Sequence, residues 1–164
     1  MIVNFSNEPV EKAKYSIFLA GPTYRDADFS QSWRKEAVEM LQKTVFGQDP
    51  GTAVYIPEYP VGVEFDSSCI ETQTFWEWEA LGRATVIMFW IPRNTRLPGY
   101  TTNVEFGRYV ALKPESVVLG YPEDASKMRY LTIMYRHMVH REPVHTLQQT
   151  IHEALNVFDE LRRR

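Results

Sequence analysis

Apolar positions along this chain gather into short continuous runs, separated by stretches in which apolar and polar residues alternate at helical spacing. Tyr15–Ala20 is an apolar run that stops at Gly21-Pro22, and Thr52–Ile56 is a second that stops at Pro57. Residues 85–91 are the most apolar stretch and end at Pro92; residues 116–119 end at Gly120 and Pro122. Short apolar runs bounded by turn residues predict buried strands. Between them, residues 32–45 place Trp33, Ala37, Val38, Met40, Leu41 and Val45 at helical spacing. A second helix is predicted over Ile70–Arg83, with Ser68 and Glu71 spelling a capping box. In it Phe75, Trp78 and Leu81 form the stripe expected to pack on the sheet, while Gln73 and Glu77, four apart, share another face. Further helices are predicted over residues 103–112, 124–139 and 145–162.

Strands alternating with helices predict parallel pairing and a sheet covered on both faces, with right-handed crossovers. The predicted fold class is α/β: a flavodoxin-like or Rossmann-like three-layer sandwich, a single domain over residues 1–164, with a mostly parallel sheet of about five strands. Ligands of such sheets bind beyond the carboxyl ends of the strands, near the switch point. The turns Gly21-Pro22, Pro57-Glu58, Pro92-Arg93 and Gly120-Tyr121-Pro122, with the helix starts after them, are therefore the predicted place for a site.

Composition narrows the function. The 18 basic and 21 acidic residues, net −3, lack the basic field on which binding to a nucleic-acid polymer depends. Neither a membrane span nor a signal peptide is expected, and the predicted location is cytoplasmic. Cys69 is the one cysteine, which excludes a disulfide framework and a Cys-rich zinc site. It reads as a packed small residue rather than a nucleophile. There is no dinucleotide fingerprint, Walker A loop or nucleophile elbow. His137, His140, His145 and His152 read as surface residues, without an acidic ligand at metal spacing. No metal and no cofactor is expected.

Chemistry then rests on carboxylates, polar turns and rings. Glu105 lies beyond the most apolar strand, at a predicted helix start. Thr102 and Glu105 also spell a capping box, the structural reading that competes with a functional one. Gly107, inside the same predicted helix, costs about 0.5–1 kcal/mol relative to Ala, a hint that a backbone or a ligand comes close there. Glu77 competes with an ordinary solvated glutamate, a description that suits Glu79 better. Among the rings, Tyr24 and Tyr100 fall at site turns, whereas Phe18, Phe75, Trp78, Phe89 and Trp90 read as core.

Several segments in order resemble one family: residues 17–25, Ser32-Trp33-Arg34, residues 54–58, Gln73 to Glu77 with Leu81 and Ala84, residues 89–93, and Pro98 through Glu105-Phe106-Gly107. Together they are similar to the nucleoside 2-deoxyribosyltransferase-like family, including its nucleotide N-glycosidase relatives. The resemblance implies a flavodoxin-like fold, a homodimer or higher homo-oligomer, and a small-molecule nucleoside or nucleotide substrate. It implies a nucleophilic glutamate in an E-[hydrophobic]-G motif at the helix start after the third strand, here Glu105. Glu77 matches the acidic residue on the preceding helix that helps bind substrate and manage protons. Gly21, Pro22 and Thr23, with Tyr24 and Arg25, resemble the loop that wraps the nucleoside. Glu58, Gln73, Tyr100, Thr101, Thr102 and Asn103 complete the expected substrate-binding set. One departure is the ending Leu161-Arg162-Arg163-Arg164, which lacks the terminal aromatic with which classical transferases complete a neighbour's site.

The expected chemistry is rupture of a C1′–N bond through an oxocarbenium-like transition state, with the sugar trapped on Glu105 as in retaining glycosidases. A helix N-terminus would favour that carboxylate by roughly 0.3–1 kcal/mol, and Glu77 or a water would supply a proton to the leaving base. Arg25, Thr101 and Thr102 are candidates for a 5′-phosphate. A second base as acceptor gives transfer; water gives nucleoside 5′-monophosphate hydrolysis. A non-catalytic nucleotide-binding module is the rival reading, and an electron-transfer flavodoxin a fold-level one.

Overall fold

A computed structural model of the chain describes residues 1–23, 29–63 and 67–164. In chain order its elements are β1 (Ile2–Phe5), β2 (Tyr15–Ala20), α1 (Trp33–Gln42), α2 (Val45–Gln48), β3 (Thr52–Ile56), α3 (Ile70–Arg83), β4 (Val86–Trp90), α4 (Tyr100–Leu112), β5 (Val117–Gly120), α5 (Arg129–Val139) and α6 (Leu147–Arg162). The five strands form one parallel sheet in the order β1-β3-β2-β4-β5, with helices around it, the three-layer α/β fold expected from the pattern. No helix among the described residues is long and apolar enough to cross a membrane.

Two compact units divide the chain: Met1–Leu19 with the described part of Arg25–Thr85, and Ala20–Tyr24, as far as described, with Val86–Arg164. In the first, β3 pairs with β1 on one side and β2 on the other, Val54 lying opposite both Val3 and Ile17. Every residue of β3 is buried, as a strand flanked on both edges requires. β1 was not anticipated, because four residues carrying a polar Asn4 and pairing on one edge leave little apolar signal. The stretch read as one helix over residues 32–45 is two. Thr44 breaks it by donating to the Leu41 carbonyl at 2.6 Å and capping α2 through the Gly47 amide at 3.2 Å.

Helix α3 has the predicted ends but not the predicted face. Trp76, Ala80 and Leu81 are buried, whereas Phe75 and Trp78 are 54 % and 50 % exposed and pack edge-to-face on each other. Trp76 and Ala80 stand four apart and bring Gln73 and Glu77 onto the same side. The 68–71 capping box does not cap α3 either: the cap position falls at Cys69, after a 3-10 turn, and its side chain makes no capping bond.

In the second unit β4 and β5 run parallel, with Phe89 opposite Leu119. Helix α6 packs on both strands and α4 packs on α5. Phe89 meets Phe106 of α4 edge-to-face at 5.2 Å. Helix α5 begins at Arg129, five residues later than predicted, and α6 begins at Leu147 under a Thr146 cap. The correction with functional weight concerns α4. It starts at Tyr100, not at residue 103, from a cap at Gly99 that holds φ 62°. A side chain there would be strained and would press on Pro22 at 3.3 Å. Glu105 therefore lies in the second turn, and the Thr102–Glu105 capping box is not formed.

Candidate active site

The turn after β3 is held by a charged cluster within the first unit. Glu58 is 7 % exposed, and its Oε1 accepts from Ser32 Oγ at 2.7 Å and from Arg34 Nη1. Arg34 is wholly buried; its Nε donates to the Leu19 carbonyl at 2.8 Å, tying α1 to the end of β2. Ser32 also accepts from the Arg34 amide as the cap of α1. A buried charge has to be met by charge and hydrogen bonds, and this cluster does both. One residue before Glu58, the Pro57 carbonyl accepts a long bond of 3.4 Å from Gln73 Nε2. The same amide nitrogen donates to Glu77 Oε1 at 3.0 Å, so the side chain of Gln73 orients Glu77. Two buried polar atoms beside them have no partner: Gln73 Oε1, an acceptor, and Trp76 Nε1, a donor. Orphans of this kind are rare in a finished core.

The second unit carries Glu105, half-buried on α4. At four-residue spacing Thr101 and Tyr109 lie on its face. Tyr109 is buried, and its phenol is pushed above the ordinary range mainly by that burial; the Glu105 charge pushes the same way and Arg108 opposes. The phenol is thus kept protonated. Because the helix dipole acts within the first turn, the second-turn position weakens the expected help from the helix start. Thr102 is buried, Tyr100 and Thr101 are exposed, and Pro22 is buried against Gly99 between a half-buried Gly21 and an exposed Thr23. Asn103 accepts from Arg93 Nη2. Tyr24 and Arg25 lie outside the described residues.

The expected site residues thus fall into two groups, each inside one unit: Glu58, Gln73 and Glu77 in the first; Gly21, Pro22, Thr23, Tyr100, Thr101, Thr102, Asn103 and Glu105 in the second. Arg34, Arg93 and Tyr109 join these residues without a signal of their own in the sequence. Each sits in or beside a motif, but a buried arginine is spelled like an exposed one. The four histidines are exposed and Glu79 pairs with Arg83 at the surface, as anticipated.

Comparison with known proteins bears on what these residues are for. No curated protein matches the chain. A solved structure described as a conserved protein from Enterococcus faecalis V583 superposes with a TM-score of 0.56 at 15 % identity, covering 88 % of this chain and 99 % of that one. At that identity the likeness supports the fold alone. A family model described as nucleoside 2-deoxyribosyltransferase like matches residues 14–124, a span that holds β2 through β5 and every residue of both groups. The chain belongs to the nucleoside 2-deoxyribosyltransferase-like family.

Proposed function

We propose that this protein cleaves the N-glycosidic bond of a deoxynucleoside or its 5′-monophosphate and transfers the 2-deoxyribosyl group to a second nucleobase. What carries the reading is Glu105, half-buried in the Glu105-Phe106-Gly107 motif of α4 beside the protonated Tyr109 phenol, in a chain of this family. Glu105 attacks C1′ as the C1′–N bond breaks, and the electron pair of that bond leaves with the base. The result is a glycosyl ester on the carboxylate. A ring nitrogen of the departing base takes a proton from a general acid or a water. An incoming base then attacks C1′ through a ring nitrogen, the C1′–O bond to Glu105 breaks and frees the carboxylate, and the base's N–H proton passes to a general base or a water.

Chromatography of a deoxynucleoside incubated with a different free base tests this. The expected result is base exchange in the wild type and none in Glu105→Gln, which keeps shape and removes the charge. Intact mass should show a glycosyl adduct on the wild type that is absent from the variant. Free base and 2-deoxyribose 5-phosphate without exchange, from a deoxynucleotide alone, would assign the hydrolytic reading. Binding without turnover across deoxynucleosides and deoxynucleotides would leave a binding module.

A further inference from the structure

Helix α4 lines a cavity on a second flank. Asn103, Phe106 and Gly107, with Arg93, Lys127, Leu131 and neighbours on α5, line a cavity of about 290 Å³ that lies wholly within the second unit. At 3.6 residues per turn, Asn103 and Gly107 each lie roughly 160° around the helix from Glu105. The cavity therefore opens on the flank away from that carboxylate.

Three features mark it as a site. The first is Arg93, 6 % exposed at the end of the β4 run. Its Nη2 donates to Asn103 Oδ1 and its Nη1 makes a long 3.4 Å bond to the Lys127 carbonyl, but its Nε–H has no partner. Among the described residues no carboxylate pairs with this buried cation. Guanidinium groups at such depth are ordinarily matched by an anion. The second is Asn103, whose amide oxygen is committed to Arg93, which orients its amide N–H groups as further donors. The third is Gly107. A Cβ built there would meet nothing within 4 Å, so no protein atom needs the room that the missing side chain leaves. A glycine in a helix interior is destabilising, and here the space it opens belongs to the cavity.

We propose that this cavity binds a small organic monocarboxylate, its carboxylate on Arg93 and Asn103 and its apolar body against Phe106, Leu131 and Met134. A planar guanidinium and an amide match the two oxygens of one carboxylate. Lys127 and Tyr130 are exposed, and the other walls, Phe106, Gly107, Leu131 and Met134, offer no side-chain donor to a phosphate dianion. The volume is at the small end for ligand pockets and suits a body of a few carbons. Lys127, exposed at the rim, adds attraction for an anion. The site goes beyond the glycosyl chemistry and does not depend on it.

Isothermal titration of the full chain with 4-methylpentanoate tests the assignment, with 4-methyl-1-pentanol, inorganic phosphate and 2′-deoxyadenosine 5′-monophosphate as comparisons. Saturable binding of the carboxylate is expected, at least about tenfold tighter than the alcohol. It should be lost in Gly107→Leu, whose Cβ meets no protein atom within 4 Å and whose side chain is added at the cavity wall, and in Arg93→Met. Glu105→Gln should bind as the wild type does. Circular dichroism checks the fold of each variant, and Gly107→Leu carries the test if Arg93→Met does not fold. Equal affinity for acid and alcohol, undiminished binding in Gly107→Leu, or no binding at all would overturn the proposal. So would displacement of the carboxylate by phosphate or the deoxynucleotide, which would give the cavity to phosphate chemistry.

Discussion

Glu58 keeps its carboxylate out of water because Arg34 Nη1 and Ser32 Oγ meet it there. Removing one partner of a buried ion pair leaves the other charge stranded, at a cost of about 3–5 kcal/mol, whereas replacing both with apolar groups costs far less. Arg34→Met should therefore lose about that much stability, and Arg34→Met with Glu58→Leu should recover most of it. Urea unfolding of the two single variants and the double closes the cycle; additive losses would show that the pair is not coupled. The same cluster shows where sequence reading stops at this scale. Glu58 was legible as a turn residue near the site, but its partner was not, because the depth of Arg34 is set by how α1 meets the ends of β2 and β3. Arg93 escaped for the same reason: its surroundings come from α4 and the 121–128 loop, distant in sequence.

Elements were easier to read than their faces. β2, β3 and α3 have the bounds that their apolar runs and flanking Gly and Pro residues predict. The start of α4 was misplaced because Tyr100, Thr101 and Thr102 are indifferent helix formers, and the cap is a glycine chosen for its left-handed backbone. The face of α3 was misread because its aromatic residues offer two stripes, and tertiary packing selects the one with Trp76. The choice has a measurable consequence. Trp76→Ala should cost about 3–5 kcal/mol, as expected for a large buried ring. Trp78→Ser, half-exposed, should change stability by less than about 0.5 kcal/mol. Urea midpoints at fixed protein concentration decide it, and equal losses would restore the stripe read from the sequence. The buried face also carries Gln73 and Glu77, so the packing that hides Trp76 is what positions those two side chains.

For the molecule as a whole, a net charge of −3 leaves little self-repulsion near neutral pH. The pH dependence of stability then reflects individual buried groups, and Tyr135 is the clearest. Its side chain on α5 is fully buried, and its hydroxyl lacks a hydrogen-bond partner. Burial pushes the phenol up from 10.0 to about 12; the Leu119 backbone opposes the shift without reaching hydrogen-bond geometry. The unfolded chain ionises first, so the folded state binds the extra proton as pH rises past 10. Stability is full below the unfolded value and falls between about pH 10 and 12, by at most about 2.7 kcal/mol for the two-unit difference. Tyr135→Phe removes the ionisable group and should flatten that limb. At neutral pH it should be close to neutral, because the lost hydroxyl made no bond. Tyr109, raised in the same direction, leaves a smaller residual slope in the variant. Urea unfolding of both proteins from about pH 8 to 11.5 measures it. An alkaline slope unchanged by the substitution would place the linked ionisation elsewhere.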